Sequence, residues 1–450
     1  MDADKILTII KKNNISMIRF EMPDVYGISH CRLFPAAAFA RRVSDGVKFG
    51  ISTVMSSDPM GNLAEGTGCG EEIGYGDCLA FPDLDSFQIL PWTQINTARV
   101  LMNPTVNGLP LTGYPRFVAR RQVAKLNAVG FSLLSTHSFE FHVENLQDRN
   151  PIFSGRNFGA TVRLPSAEGI LEPLCEYLPQ VGLELENMDT GHGPGQLSIS
   201  YKPAFGLKAA DNAYTYRTSI KEIARRHNYM ASFMTKPYGD MGCGSSGHFI
   251  HSIWDTKRKG PLLFDKEHPT GLSKNGRHWV AGILAHVPGL TILMGPTINC
   301  VKRYVPNELV PVNATWGYDN RSTAVRVRIA GDRGTFIENR LPSSGCNPYI
   351  VMAATIAAGL DGIANKLPLP PPIKGDVRDE KVVPPYTASV PNNLHDALSA
   401  LVADTVLCDA LGDDFINCFL ALKQQEDRLH TKAMATGNSK WEYDYYFEYM

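Results

Sequence analysis

Four segments of the sequence place polar residues at strand-like or turn-like spacing within apolar stretches, and they constrain the fold more than any other feature. They are STHSFEFHVE (135–144), DTGHGPGQLSIS (189–200), GCGSSGHFIHSIWD (242–255) and FIENRLPSSGCNPY (336–349). Alternation of polar and apolar residues is typical of a half-buried strand, whose polar side chains point to one face. Each segment is therefore predicted to line a pocket.

These segments supply carboxylates and imidazoles that could converge on a divalent metal. The candidates are Glu140, His142, His248, His251 and Glu338. Mg²⁺ binds hard oxygen ligands, chiefly carboxylates together with substrate phosphates, so a metal pocket needs several such side chains at one point. Spacing alone is equally compatible with ordinary polar strand residues.

A second polar group consists of arginines in the stretches RSTAVRVR and ENR. They are Arg321, Arg326, Arg328 and Arg340. A guanidinium fork clamps phosphate or carboxylate, so their spacing suits an anion site, although salt-bridged strand residues would give the same pattern. Two glycine-rich stretches, GTGCGEE and GCGSSG, lack the spacing of a phosphate-binding loop and are interpreted as flexible loops.

Composition narrows the choice of partners. The 450 residues are 44% hydrophobic, with 44 Lys and Arg against 45 Asp and Glu. This near-neutral balance argues against nucleic acid or an anionic membrane as the main partner and favours small molecules or protein surfaces. Nine cysteines without a C-x-x-C pair suit reduced thiols in a cytosol. Neither a signal peptide nor a bilayer-spanning stretch is found, so a cytoplasmic location is expected.

The pattern changes once along the chain, which predicts two domains. Up to about residue 105, alternating runs such as SMIRFEMPDVYGISHCRLFP indicate a small sheet. Helical periods then begin, as in GYPRFVARRQVAKLNAVGF and in NPYIVMAATIAAGLDGI, where Asn347 is the expected N-cap and Pro348 the first helical residue. We therefore place the domains at 1–108 and 109–450.

In this order the four segments resemble the glutamine synthetase family over nearly the whole chain. LAFPDLDSFQILPW is similar to the family's N-terminal β-grasp sequence, VKRYVPNELVP to its Lys-Arg-Leu-Val-Pro-Gly loop, and NRSTAVRV and IENRLPSSGCNPY to its nucleotide- and glutamate-binding strands. The resemblance implies an α+β fold, with an N-terminal β-grasp domain and a larger catalytic-type domain of curved antiparallel sheet and helices. It also implies a ring homo-oligomer, a dodecamer, with each active site between neighbouring subunits.

The family uses ATP to phosphorylate the γ-carboxylate of glutamate, and ammonia or an amine then displaces the phosphate. Protein-held metals neutralise the charge on the phosphoryl oxygens. The resemblance places the family's six metal-ligand positions at Ser138, Glu140, Gly191, Ser198, His248 and Glu338. Ser138, Gly191 and Ser198 replace glutamates, so only three ligands remain and a metal is expected to bind weakly.

The resemblance also assigns positions outside the metal set. Arg303, Arg321, Arg326 and Arg340 match positions that hold glutamate or phosphates in the family. Leu309 falls where glutamine synthetases carry the flap glutamate that takes a proton from ammonium. The resemblance therefore implies that the anion-binding arginines are kept while the proton acceptor is lost.

The resemblance leaves two assignments open. Sliding the third motif by one residue would put Phe249 instead of His248 on the metal position and His251 on the next histidine of the family. Asp189 could in principle reach the space that the missing carboxylates leave. A register-shifted aspartate rarely recovers ligand geometry, so we do not count it as a ligand.

A full-length chain with stripped metal glutamates resembles a catalytically silent relative of the family in the eye lens. The resemblance implies a pseudoenzyme without a required cofactor, acting as a structural or interaction protein of the lens cytoplasm, with itself and a lens cytoskeletal or other protein as partners. Two alternatives stay open. One is an ATP-dependent γ-glutamyl amine ligase with an unusual acceptor, and the other is a protein that binds nucleotide or amino acid without turnover. Weak binding of Mg²⁺ or Mn²⁺ and of ATP is compatible with the remaining residues.

Overall fold

The computed structural model describes residues 1–239, 244–306 and 308–450, so parts of the glycine-rich stretch 242–247 and of the loop 301–311 lie outside the described residues. The strands in the described chain are β1 Met17–Pro23, β2 Ser29–Pro35, β3 Val47–Gly50, β4 Asp77–Pro82, β5 Gln88–Leu90, β6 Thr97–Val106, β7 Leu109–Pro110, β8 Phe131–Asn145, β9 Leu185–Thr190, β10 Gln196–Tyr201, β11 Ala204–Phe205, β12 Tyr229–Ser232, β13 Gly247–Asp255, β14 Trp316–Tyr318, β15 Val325–Arg328 and β16 Phe336–Asn339. The helices are α1 Ala3–Lys12, α2 Phe39–Asp45, α3 Ile51–Met55, α4 Pro115–Ala128, α5 Leu164–Tyr177, α6 Leu207–Arg226, α7 Lys274–Ala285, α8 Val287–Met294, α9 Ile298–Val301, α10 Gly331–Gly334, α11 Pro348–Ala364, α12 Leu394–Ala403, α13 Thr405–Leu411, α14 Asp413–Ala435 and α15 Trp441–Tyr446. The predicted α+β fold is confirmed.

A seven-stranded sheet occupies the N-terminal part of the chain. Its strand order is β2-β1-β6-β4-β3, and β5 and β7 also pair with β6. β1 and β2 form an antiparallel hairpin with Met17 opposite Pro35, and Ile18 and Phe20 on β1 are fully buried. This is the small sheet that the alternating runs predict. The domain division at residue 108 stays a prediction.

A nine-stranded sheet forms the centre of the larger part of the molecule, in the order β14-β15-β16-β13-β8-β10-β9, with β11 and β12 also on β8. Side chains on β8 alternate between its two faces. Phe139 and Phe141 are fully buried against α6, where the rings of Phe139 and Tyr216 lie 5.8 Å apart. Ser138 and Glu140, the residues on either side of Phe139, are half-buried on the other face. One face of this sheet is therefore apolar core, and the other is open and polar.

Asn347 performs two structural tasks at the start of α11. Its side chain accepts a hydrogen bond from the backbone N–H of Tyr349, and Pro348 is the first helical residue, as the sequence predicts. The same amide donates to the carbonyls of Asp24 and Val25 in the loop between β1 and β2. One residue thus begins the helix and ties the N-terminal sheet to it.

The described part of the chain has neither a disulfide nor a helix of the membrane-spanning type. The eight cysteines in the described part of the chain are free thiols. Burial raises the pKa of Cys346 to about 12, which suits a small buried residue rather than a reactive thiol. None of the described helices combines the length and the apolar character needed to cross a bilayer.

His286, at the junction of α7 and α8, lies between two carboxylates. Its Nδ1 is 2.7 Å from Asp404 Oδ2, and its Nε2 is 3.2 Å from Asp361 Oδ2. Burial lowers the pKa of His286, but the hydrogen bonds and charges of Asp404 and Asp361 outweigh burial and raise it above the ordinary value. His286 therefore links the junction of α7 and α8 to α11, which carries Asp361, and to the junction of α12 and α13 at Asp404.

Replacing His286 with asparagine is expected to lower the free energy of unfolding by about 2 kcal/mol at acidic pH, because hydrogen bonds between charged groups are lost. A group whose pKa is raised by folding stabilises fully below its unfolded pKa, about 6.5 for histidine, and loses that effect as pH rises through the folded pKa. Denaturant unfolding across a pH series measures this. The exposed His395 provides the control, since His395→Asn should have little effect. A deficit independent of pH would contradict the assignment.

Candidate functional site

Strand register collects the predicted site residues on the open face of the nine-stranded sheet. Ser198 on β10 lies opposite Glu140 on β8, and Ser138 on β8 lies opposite His248 on β13. Residues directly opposite each other share a face, as do residues two apart on one strand. All four side chains are half-buried, unlike the fully buried Phe139 between Ser138 and Glu140.

The same face continues onto β16. Ile250 on β13 lies opposite Glu338, and Ile250 shares its face with His248, two residues earlier. His251 points to the opposite face, where it is 1% exposed and accepts a hydrogen bond of 2.9 Å from Trp279 Nε1. The strand pairing thus puts His248 on the open face and His251 in the core.

Glu338 is held by three cationic or polar groups. Its Oε1 accepts a hydrogen bond of 2.6 Å from Arg340 Nη1, and its Oε2 accepts one of 2.8 Å from Arg326 Nη1. Burial alone would raise the pKa of Glu338, but the hydrogen bond to His248 and the charges of Arg340 and Arg326 hold it well below its usual range. Glu338 is therefore ionised at neutral pH, with both oxygens engaged.

His248 links Glu338 to another arginine. Its Nδ1 lies 3.2 Å from Glu338 Oε1, and its Nε2 lies 3.3 Å from Arg303 Nη2. Burial and the charge of Arg340 lower the pKa of His248 to about 3, so the ring is neutral at physiological pH. In that state one nitrogen donates to Glu338 and the other accepts from Arg303.

Two guanidinium groups, those of Arg326 and Arg340, therefore contact a single buried carboxylate, and that of Arg303 is linked to it through His248. The Nε atoms of Arg303, Arg326 and Arg340 are buried and have no hydrogen-bond partner in the described chain. Arg326 also donates to the exposed Asp319 at 2.8 Å. Arg321, exposed before β15, takes no part in these hydrogen bonds. The excess of positive charge suits a carboxylate or a phosphate.

Glu140 is separated from this cluster and has its own partner. Its Oε2 accepts hydrogen bonds from the backbone N–H of Ser246 at 2.7 Å and from its hydroxyl at 2.8 Å. Asp189 on β9 lies opposite Ser198 and so shares the open face, where it accepts a hydrogen bond of 2.7 Å from Asn187 Nδ2.

These side chains do not fit the divalent metals that the sequence motifs imply. Within residues 1–239, 244–306 and 308–450, no three His, Cys, Asp or Glu side chains come together in a way that could hold a metal ion. The carboxylate of Glu338 is paired with Arg326 and Arg340, and that of Glu140 accepts a hydrogen bond from Ser246. A hard cation requires several oxygen ligands at one point, so the donor set falls short.

Gly191 is closely packed against a side chain that is itself held in place. A Cβ atom at this position would lie 2.5 Å from Oε1 and 2.7 Å from Cγ of Gln196. Gln196 is 1% exposed, accepts from the backbone N–H of Gly193 and donates to Ser245 Oγ, both at 2.8 Å. The local packing therefore leaves no room for a larger residue.

The structure brings in two residues that the motifs did not reveal. Leu309 is 51% exposed, while the neighbouring Glu308 turns its carboxylate inward, 3.3 Å from Lys236 Nζ and 3.3 Å from the backbone nitrogen of Gly244. A shift of one residue in the alignment would have pointed to Glu308. Lys236 carries no sequence signal, since its position depends on tertiary packing.

A buried chain of hydrogen bonds lies next to Glu140 on the same face of the sheet, since His142 is two residues further along β8 and opposite Gln196. His142 Nδ1 is 2.9 Å from the Pro194 carbonyl, so Nε2 is free to accept from Ser245 Oγ, also at 2.9 Å. Burial lowers the pKa of His142 to about 4, which keeps the ring neutral. Ser245 is fully buried, so its hydroxyl is not a nucleophile. Its hydrogen bonds instead fix the backbone beside Ser246.

The model of the glutamine synthetase catalytic domain matches residues 112–446. The chain belongs to the glutamine synthetase family. It is 36% identical to lengsin from Homo sapiens over 443 residues, which cover 96% of this chain and 83% of lengsin. It is 31% identical to a glutamine synthetase from Thermotoga maritima over 99% of both chains.

Members of the family with other acceptors are also similar. A glutamate–isopropylamine ligase from Pseudomonas sp is 30% identical to this chain over 94% of each protein. A solved structure described as a novel glutamine synthase homolog superposes with a TM-score of 0.83 at 25% identity, over 96% of this chain and 98% of that chain. The family that the motifs predict is confirmed, and its members include ligases.

Proposed function

We propose that this chain is a catalytically inactive glutamine synthetase homologue that works through self-assembly as a structural or interaction protein. The observation that carries the proposal is the open face of the large sheet. Ser138, Gly191 and Ser198 supply no carboxylate there, and the remaining Glu338 is bound to Arg326 and Arg340. Phosphoryl transfer depends on divalent metal ions that neutralise the charge developing on the phosphoryl oxygens, and these residues do not form a binding site for such ions.

The fold is kept although the ligand set is reduced, which supports a role for the assembled protein itself. The similarity to lengsin extends over most of both chains and motivates a place in the lens cytoplasm, with a ring homo-oligomer, a dodecamer, as the working form. Light scattering of the purified chain should give the mass of a ring. A protein that stays monomeric at all concentrations would contradict this proposal.

The loss of activity is tested by ADP release from ATP with Mg²⁺ or Mn²⁺, glutamate and either ammonium or a panel of amines. We expect the same rate from the native chain and from the matched variants Glu140→Gln and Glu338→Gln, because contaminating activity alone would remain. Light scattering must show that each sample is assembled. ADP release that falls in either variant would revive the ligase alternative, for which the exposed Leu309 would suit an apolar amine.

A second candidate function, binding of a nucleotide or an amino acid without turnover, is favoured by the unpaired Nε atoms of Arg303, Arg326 and Arg340. Calorimetry with ADP or glutamate in the absence of metal measures this. We expect Arg326→Gln to weaken binding about tenfold, since a charge-assisted hydrogen bond is lost. Equal affinity in Arg321→Gln and Arg326→Gln would place the ligand elsewhere.

A further inference from the structure

A cavity of about 410 Å³ lies between the N-terminal sheet and α6, on the side of the large sheet opposite to the open face. Arg19 on β1 and Trp92 form one wall, and Arg217, Lys221 and Arg225 on α6 form the other. The volume falls within the range of about 300–1,000 Å³ typical of small-molecule sites.

The two carboxylates that line this cavity are already paired. Glu222 accepts a hydrogen bond of 2.6 Å from Arg19 Nη1 and one of 2.8 Å from Trp92 Nε1. Glu448 accepts one of 2.7 Å from Arg225 Nη2. Neither acid is therefore available to neutralise the other cations of the cavity.

Arg217 and Lys221 have no carboxylate partner among the described residues. Arg217 is 3% exposed and donates to the Cys346 carbonyl, while its buried Nε has no acceptor within the described chain. Lys221 donates only to the carbonyl of Tyr449. Burial and the charge of Arg217 lower the pKa of Lys221 to about 7, the direction expected for a cation without a counter-ion.

The spacing of the two cations indicates the shape of a complementary ligand. Arg217 and Lys221 are four residues apart and lie on one face of α6. Their Cα atoms are separated by about 6 Å along the helix axis at a rise of 1.5 Å per residue. A small molecule with two negative charges can therefore meet both cations, and Trp92 provides an apolar wall for its carbon atoms.

We propose that this cavity binds a small dianion, either a dicarboxylate or a phosphate compound, through Arg217 and Lys221. Such a ligand would contact both the N-terminal sheet and α6, and it would stabilise their packing by binding only the folded chain. The site is separate from the arginine cluster around Glu338, since the two lie on opposite sides of the large sheet.

Calorimetry of the full chain with succinate and, separately, with inorganic phosphate in chloride buffer tests the proposal. We expect one of the two probes to bind, and Lys221→Gln to weaken it at least about tenfold, because a charged hydrogen bond is removed. Lys208→Gln is the matched control, an exposed lysine on the same helix outside the cavity. Lys221→Arg should keep the affinity, because it keeps the positive charge. That result would show that the loss in Lys221→Gln comes from the binding site and not from misfolding.

The outcomes separate the possible sites and ligands. Preference for succinate identifies a dicarboxylate site, and preference for phosphate identifies a phosphate site. Binding that is lost in Arg326→Gln but kept in Lys221→Gln belongs to the cluster around Glu338 and overturns the proposal. Absence of binding by both probes, or equal affinity in Lys221→Gln and Lys208→Gln, also overturns it.

Discussion

Replacing Glu338 with alanine is expected to lower the free energy of unfolding by about 3–5 kcal/mol, because removing one partner leaves buried charges uncompensated. Arg340 and Arg326 would both lose a hydrogen bond to this carboxylate, and Arg340 is only 5% exposed. Equilibrium unfolding in denaturant at neutral pH measures the loss.

The matched control is Glu140→Ala, which removes a carboxylate from the same face. Glu140 accepts hydrogen bonds from the neutral Ser246, so about 1–2 kcal/mol should be lost. Similar destabilisation in both variants would contradict the role of Glu338 as the counter-ion of the arginines.

The pH dependence of stability distinguishes Glu338 further. Since its folded pKa is depressed, its contribution is present above the unfolded value of about 4.5 and is lost as pH falls through the folded pKa. The difference in free energy of unfolding between the native chain and Glu338→Ala should therefore become smaller in acid. Glu338→Gln should be less destabilised than Glu338→Ala, and above the unfolded pKa its loss of unfolding free energy relative to the native chain should not change with pH.

The sequence predicts local structure well at positions where one signal dominates. Alternation across residues 135–144 indicates β8 and the face of Ser138 and Glu140, because side chains on a strand alternate with a period of two. The cap at Asn347 is equally local, since a side chain that accepts from a nearby backbone N–H needs no distant partner. The family motifs then supply the α+β fold class, which alternation alone cannot.

Features that depend on contacts between distant segments were not predictable from residue patterns. The engagement of Glu338 by Arg326 requires the pairing of β16 with β15, and the inward turn of Glu308 depends on Lys236, 72 residues earlier in the chain. The cavity beside Lys221 exists only once the N-terminal sheet packs on α6. In each case tertiary packing, and not local propensity, decides the environment of the charged group.

Restoring carboxylates at Ser138 and Ser198 is expected to create a metal site on the open face. Both residues are half-buried beside Glu140, so Ser138→Glu with Ser198→Glu would place three carboxylates together. Like charges that face each other across strands are destabilising, so the double variant should unfold at a lower temperature without metal. Mn²⁺ should reverse this loss, because a ligand that binds only the folded state stabilises it.

Calorimetry should show Mn²⁺ affinity at least about tenfold higher per restored carboxylate than in the native chain, since even supporting partners of a metal are worth about 10–100-fold. Ser399→Glu is the control, because Ser399 is an exposed residue of α12, outside the nine-stranded sheet. An unchanged affinity in the double variant would show that the assigned positions do not converge on a metal.

Substitution of Gly191 should be tolerated less well than substitution of these two serines, although the resemblance places all three at positions where the family has a glutamate. Its Cβ would overlap Gln196, which is fixed by Ser245 and Gly193. Gly191→Ala alone should cost about 1–3 kcal/mol through overpacking, and Gly191→Glu should cost more because the hydrogen bonds of Gln196 are displaced as well. If Gly191→Ala is neutral in denaturant unfolding, Gln196 can move and the third carboxylate can also be restored. If it is destabilising, the absence of a side chain at Gly191 is required by the buried packing of Gln196, and this carboxylate cannot be regained by a single substitution.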